Sequence, residues 1–205
     1  MEYNVLASQE SINKTANSLR GKGYEVFVVE NGAEALAKIK ELIPQGVSVT
    51  NGSSVTLEQI GFVDLLKSGT YGWDNLHEAV LAEKDPVKKA LLRKQATLSD
   101  YYLGSVHALA ELGEFVIASN TGSQLAHIVF TSPNLIFVVG AQKIVPTLDD
   151  AMKRLKDYVV PLEDQHMKDL YGVGTMLSKI VIFSEENKMM GRKIRLILIK
   201  EQIGF

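Results

Sequence analysis

Residues 24–57 read YEVFVVENGAEALAKIKELIPQGVSVTNGSSVTL. Tyr24 to Val29 is a β-rich run of branched and aromatic side chains. Asn31 stands three residues before Glu34, the spacing of a capping box, so a helix starts there. Leu36, Ile39 and Ile43 form its buried face, and Pro44 ends it. Val47 to Thr50 is a second short strand that runs into Asn51-Gly52-Ser53-Ser54, and a helix beginning near Val55 carries Leu57, Ile60, Leu65 and Leu66. The order is strand, helix, strand, glycine turn, helix. Short strands that are apolar throughout are covered on both faces, which is the habit of parallel sheets. The expected fold is α/β: three layers, α/β/α, around a mostly parallel sheet.

The flanking sequence extends this pattern. Upstream, Ile12, Ala16 and Leu19 lie at helical spacing before the stop signals Gly21 and Gly23. Downstream, residues 69–99 look helical and more polar, broken at Asp85-Pro86 because the residue before a proline avoids helical dihedrals. Tyr101 to Leu103 reads as a strand ending at Gly104-Ser105, followed by a short helical Val106 to Glu111. Phe115 to Ala118 and Leu135 to Val139 are further strands. Leu148, Ala151, Met152, Leu155 and Val159 mark an amphipathic helix stopped by Pro161. In the tail, Ile180 to Phe183 and Ile194 to Ile199 read as two strands of a hairpin at the sheet edge, an edge that is a candidate for pairing with a second copy. The 205 residues form one domain: helices and strand over 1–45, a core with loops over 46–165, and a closing loop with strands over 166–205.

Composition removes several function classes. A chain this long buries about 70% of its unfolded surface, so it needs no metal or disulfide to hold a core. The net charge of −2, with basic residues scattered, supplies no field for nucleic acid or an anionic membrane. Cysteine is absent, which excludes disulfides, thiolate nucleophiles and thiolate-held zinc or iron–sulfur clusters in this chain. No apolar run approaches the ~20 residues needed to cross a bilayer, and the first residues do not read as a signal peptide. The expectation is a cytoplasmic protein without cofactor.

Ligands of open α/β sheets bind beyond the carboxyl ends of strands. Three such junctions share one chemistry. The first is Asn51-Gly52-Ser53-Ser54-Val55-Thr56, where glycine admits close backbone approach and amides and hydroxyls donate to an anion. The same residues also read as a plain capped turn, with Ser53 or Ser54 as N-cap. The second is Asn120-Thr121-Gly122-Ser123-Gln124, and the third is Gly104-Ser105 leading to His107. His107 is a candidate general base or donor to ligand oxygen, or else a structural histidine. Lys143 offers a cation to an anionic ligand, against its plainer reading as a solvated loop lysine. Glu111 stands among small apolar residues, where desolvation would raise its pKa toward that of a base or nucleophile; its plainer reading is a solvated glutamate before a glycine turn. His77, His127 and His166 are dispersed, with no metal-ligand spacing. Tyr171-Gly172-Val173-Gly174-Thr175 reads as a flexible loop that closes over a site.

Several of these segments, in order, resemble the LUD-domain family, the lactate-utilisation proteins. They are Asn51-Gly-Ser-Ser-Val-Thr-Leu57, Gly104-Ser-Val-His-Ala-Leu-Ala-Glu111, Asn120-Thr-Gly-Ser-Gln124, Phe137-Val-Val-Gly-Ala-Gln-Lys-Ile-Val145, Pro161-Leu-Glu-Asp164, Tyr171-Gly-Val-Gly174 and Lys200-Glu-Gln-Ile-Gly-Phe205. The match is to the compact, single-domain members resembling the C-type lactate-utilisation subunit. It implies a fold of the sugar-phosphate isomerase and CoA-transferase-like class, in which glycine-rich loops bind phosphorylated sugars or acyl-CoA thioesters and some members use a glutamate as base or nucleophile. By that resemblance Glu111 gains weight as the catalytic residue. Better-known relatives work beside iron–sulfur proteins in oxidising lactate to pyruvate. A partner would have to carry such a cluster here, since this chain has no cysteine. Two functions follow as expectations: a subunit that holds a small anionic metabolite and docks an iron–sulfur redox partner, or an independent transferase or isomerase using Glu111. A third reading leaves the loops a purely structural role.

Overall fold

The structure, a computed structural model, describes residues 2–205. Among the described residues, ten strands divide between two sheets. The first holds β1 (Glu25–Val29), β2 (Ser48–Asn51), β3 (Asp74–Asn75), β4 (Tyr101–Gly104), β7 (Asn134–Gly140) and β10 (Lys193–Ile199), in the order β1-β10-β7-β4-β2-β3. Every pairing in it is parallel. The second holds β5 (Ala108–Ala110), β6 (Phe115–Ser119), β8 (Ile144–Val145) and β9 (Lys179–Phe183), in the order β8-β5-β6-β9 with mixed directions.

Alternation along the central strands explains why they read as unbroken apolar runs. Leu135, Phe137 and Val139 of β7 point into one core with Leu196 and Leu198 of β10. Ile136 and Val138 point into the other with Ile197 and Ile199. Both faces are covered, so the strands are mostly apolar, and the buried Arg195 of β10 is held by Glu25 at 2.9 Å. One face packs on α2 (Gly32–Leu42), α3 (Val55–Gln59) and α4 (Phe62–Ser68), through Ala35, Ile39, Leu57 and Phe62. The opposite face packs on α1 (Gln9–Gly21), through Ile12, Ala16 and Leu19, and on the second sheet. Asn31 caps α2 by accepting from Glu34 N, and Glu34 reaches back to Glu30 N at 2.9 Å. The layered α/β/α arrangement is therefore present, with a second sheet set into one flank.

That second sheet departs from the sequence reading. Val106 to Glu111 is not helical: Ala108–Ala110 forms β5, paired with β6 through Ala108↔Val116 and Leu109↔Phe115. Alanine, leucine and glutamate are good helix formers, but a hairpin closed at Gly113 (φ +91°) buries Ala108, Leu109 and Ala110 completely. The expected tail hairpin is absent as well. β9 joins β6 in the second sheet, whereas β10 lies inside the first between β1 and β7, so Ile194–Ile199 offers no free edge.

Helix α7 (Leu148–Arg154) also does not stop at Pro161. It passes through a π turn (Leu155–Val159) directly into α8 (Val160–Tyr171). Proline is tolerated there because the wider turn, with Val160 N bonded to Leu155 O, takes the place of the α-helical bonds a proline would break. Ala151, Leu155 and Val159 cover the outer face of the second sheet with Ala108, Val116 and Val145. Between β3 and β4, α5 (Leu76–Ala82) and α6 (Pro86–Gln95) cross the end of the sheet, and Asp85 caps α6 through Val87 N and Lys88 N. Among the described residues no helix is long and apolar enough to cross a membrane.

Candidate functional site

A cleft of about 620 Å³ opens beyond the carboxyl ends of β2 and β4. The turn Asn51–Thr56 follows β2, Gly104-Ser105 closes β4, and Asn120–Gln124 follows β6. All three reach this cleft, though the third comes from the second sheet and not from the rim of the first. Gly52, Ser53, Ser54, Thr56, Gly104, Ser105, His107, Asn120, Thr121, Ser123, Gln124 and Lys143 all line it. Gly122 does not. It holds φ +83° at the turn, where Ser119 Oγ accepts from its N–H at 2.9 Å.

The loops are partly committed to themselves. Ser54 Oγ caps α3 by accepting from Leu57 N. Helix α3 has five residues, so its N-terminus carries little dipole. Thr121 and Ser123 bond to each other at 3.1 Å. Gly52 is needed for closeness: a Cβ there would meet Tyr102 Oη at 2.4 Å and Gln124 Oε1 at 2.7 Å.

Lys143 is where the sequence reading and the structure differ most. It sits in a short 3₁₀ turn after β7 (Ala141–Lys143) and is 2% exposed, not solvated. Nζ donates to Thr56 Oγ1 at 2.9 Å and to Ser105 Oγ at 3.0 Å. Ser105 Oγ passes a bond to Val138 O at 2.7 Å. Among the described residues no carboxylate lies within ion-pairing distance of Nζ. Burial, and secondarily the charge of Arg154, lower its pKa to about 7. A buried ammonium that meets only neutral hydroxyls remains an uncompensated charge. Gly204 makes room for it: a Cβ there would fall 2.1 Å from Thr56 Oγ1 and 3.0 Å from Nζ.

His107 has a settled tautomer. Its Nδ1 accepts from Ala118 N at 3.1 Å, which leaves the proton on Nε2. Burial first, then the charges of Lys143 and Arg154, lower its pKa to about 3. It is a neutral donor and not a base poised near pH 7. Arg154, fully buried, holds the His107 carbonyl through Nη1.

Glu111 lies elsewhere. It belongs to the hairpin turn between β5 and β6, does not line the cleft, and bonds to Ser11 Oγ and Lys14 Nζ, both at 2.6 Å. Those two bonds lower its pKa, the reverse of the expected rise. The carboxylate that does line the cleft is Glu163, with His166 Nδ1 at 3.2 Å from its Oε2.

The fold has a counterpart among solved structures, and the sequence matches a known family. The sequence profile of the LUD domain matches residues 12–180. The chain belongs to the LUD domain family. A crystal structure of a DUF162 family protein from Deinococcus radiodurans is similar over 95% of this chain and 99% of that one, with a TM-score of 0.60 at 12% identity. Identity that low shows a shared fold alone. Among functionally curated proteins, none matches the chain.

The lining of this LUD domain includes residues that sequence reasoning left out. His77, His127 and His166 reach the cleft beside the expected His107, as does Arg93 from α6. His127 stacks on Tyr102 with ring centroids 4.8 Å apart, and burial lowers its pKa to about 4. Among the described residues no group of side chains could hold a metal ion. Glu163 is the acidic side chain of the lining, against Arg93 and Lys143, while burial keeps the imidazoles of His77, His107 and His127 toward the neutral form. Only the Glu163–His166 spacing of three gave a signal, that of a shared helix face. Of the stretch Tyr171–Thr175, Tyr171 is the last residue of α8 and lines the cleft together with Thr175, whose N–H donates to Asp164 Oδ1 at 2.8 Å.

Proposed function

We propose that the cleft holds a small anionic metabolite, a carboxylate or phosphate, whose charged group completes the partners of Lys143. One observation carries this: a buried Nζ on the cleft wall meets only the hydroxyls of Thr56 and Ser105. An anion taken up beside it would supply the missing countercharge in a low-dielectric setting, where such a pair is strong. The Nε2–H of neutral His107 and the hydroxyls of Ser53, Thr121 and Ser123 give further donors, and Arg93 adds a second cation. On the family's relation to lactate-utilisation proteins, the chain serves as the metabolite-holding subunit beside an iron–sulfur redox partner. Any thiolate-held cluster lies in that partner, because this chain has no cysteine.

The transferase or isomerase alternative loses support with Glu111 outside the cleft and ion-paired to Lys14. The test is a thermal-shift titration with inorganic phosphate, lactate and pyruvate, on the wild-type chain and on Lys143→Met. An anion that binds must raise Tm by mass action. The rise is expected in the wild type and lost in Lys143→Met. Equal shifts in both proteins would remove Lys143 from the site and with it the proposal.

A further inference from the structure

Helix α8 turns one face along the cleft, and only its first residue, Val160, packs against the core formed by α7 and the second sheet. Val160, Glu163, Met167 and Tyr171 follow one another at intervals of three and four, which places them on one face, and all four line the cleft. None of the twelve residues of α8 is buried. The wall continues through Leu155 and Val159 of the π turn and through Met176 and Leu177 beyond the helix. Met176 is 67% exposed. Helix α6, which brings Arg93 to the same cleft, buries no residue either. A helix in a folded domain ordinarily turns its apolar side chains onto a partner. Here Met167 and Tyr171 line the cleft without being buried.

Size points the same way. About 620 Å³ falls within the ~300–1,000 Å³ of pockets that enclose drug-sized ligands. That is far more room than a three-carbon acid fills. The lining is also divided by chemistry: hydroxyls, Lys143 and His107 at the strand ends, and on the side of the π turn and α8 the apolar Leu155, Val159, Val160, Met167 and Leu177, interrupted by Glu163 and His166.

We propose that the ligand is an amphiphilic organic anion. Its carboxylate or phosphate meets Lys143, and an apolar body lies along the Val160–Met167–Leu177 wall. The proposal rests on the anion-binding reading of the same cleft and adds the second half of the ligand. A three-carbon hydroxy acid would leave that wall uncovered.

The test is titration calorimetry of the full chain with straight-chain carboxylates from acetate to octanoate, together with inorganic phosphate. Affinity should tighten roughly three- to fourfold for each methylene buried. Met167→Asn, at a partly exposed position, should flatten that rise while keeping the wild-type Tm. Amides of residues 160–171 should gain hydrogen-exchange protection with octanoate and not with acetate. Equal affinity from acetate to octanoate, still dependent on Lys143, overturns the amphiphile and leaves the anion site standing. Binding of octanoate that is unchanged in Lys143→Met overturns the anion site itself.

Discussion

Lys143 Nζ donates to Thr56 Oγ1 at 2.9 Å across 87 residues of chain, and both side chains are sealed from bulk solvent. This contact ties the turn after β7 to the helix after β2 over the ends of the strands. It also sets the protonation behaviour of the cleft.

The folded-state pKa of Lys143, about 7, lies below its ordinary value of 10.5. Between those values the unfolded chain holds a proton that the folded chain has released, so stability rises with pH across that window. Below pH 7 both states are protonated and the full burial penalty stands. Lys143→Met removes the penalty and leaves Thr56 and Ser105 to bond each other. The variant should therefore be more stable than the wild type by a few kcal/mol at pH 6, with the gap closing toward pH 10. Urea melts of both proteins at pH 6, 8 and 10 check this. A gap that stays constant with pH would mean the lysine does not titrate in that range.

Because Nδ1 of His107 accepts from Ala118 N, the ring should be the neutral Nε2–H tautomer throughout the ordinary pH range. Two-bond ¹⁵N–¹H spectra at pH 5 would show it. An imidazolium pattern at that pH would contradict the geometry.

Gly204 holds φ +66° with Thr56 Oγ1 and Lys143 Nζ crowding its missing side chain. Gly204→Ala should cost about 1–3 kcal/mol from backbone strain and overpacking. It should also weaken anion binding by displacing Thr56. Denaturant midpoints and the phosphate thermal shift report the two effects separately.

Glu111→Gln should leave phosphate affinity unchanged, since the residue lies outside the cleft. The partly exposed pair with Lys14 should contribute no more than ~1 kcal/mol to stability. A tenfold loss of ligand affinity in this variant would return Glu111 to the site.

The central sheet was legible because its strands obey a one-dimensional rule: Ile136, Phe137, Val138 and Val139 are apolar in sequence since both faces of β7 are covered. The three loops were legible for a similar reason, as glycine and hydroxyl residues cluster where strands end. The second sheet was not, because Val106 to Glu111 is composed of helix formers and becomes a strand only by pairing with Phe115 and Val116. The burial of Lys143 was hidden still further. Nothing in Gly140-Ala141-Gln142-Lys143 separates it from a surface turn, and its surroundings come from residues near 56, 105 and 204. The gathering of four histidines was equally invisible, since their separations along the chain match no local period.

The π turn at Leu155–Val159 gives the helical arm one residue more than an α-helix would need to cover the same rise. Deleting a single residue there would restore ordinary winding and leave the helix beyond it facing as it does now, because the wide turn already absorbs the extra residue. Val160, Met167 and Tyr171 would stay on the cleft. The same deletion inside α8 would turn everything beyond it by about 100°, so the wide turn is a place where the arm can lose one codon and keep its inner surface.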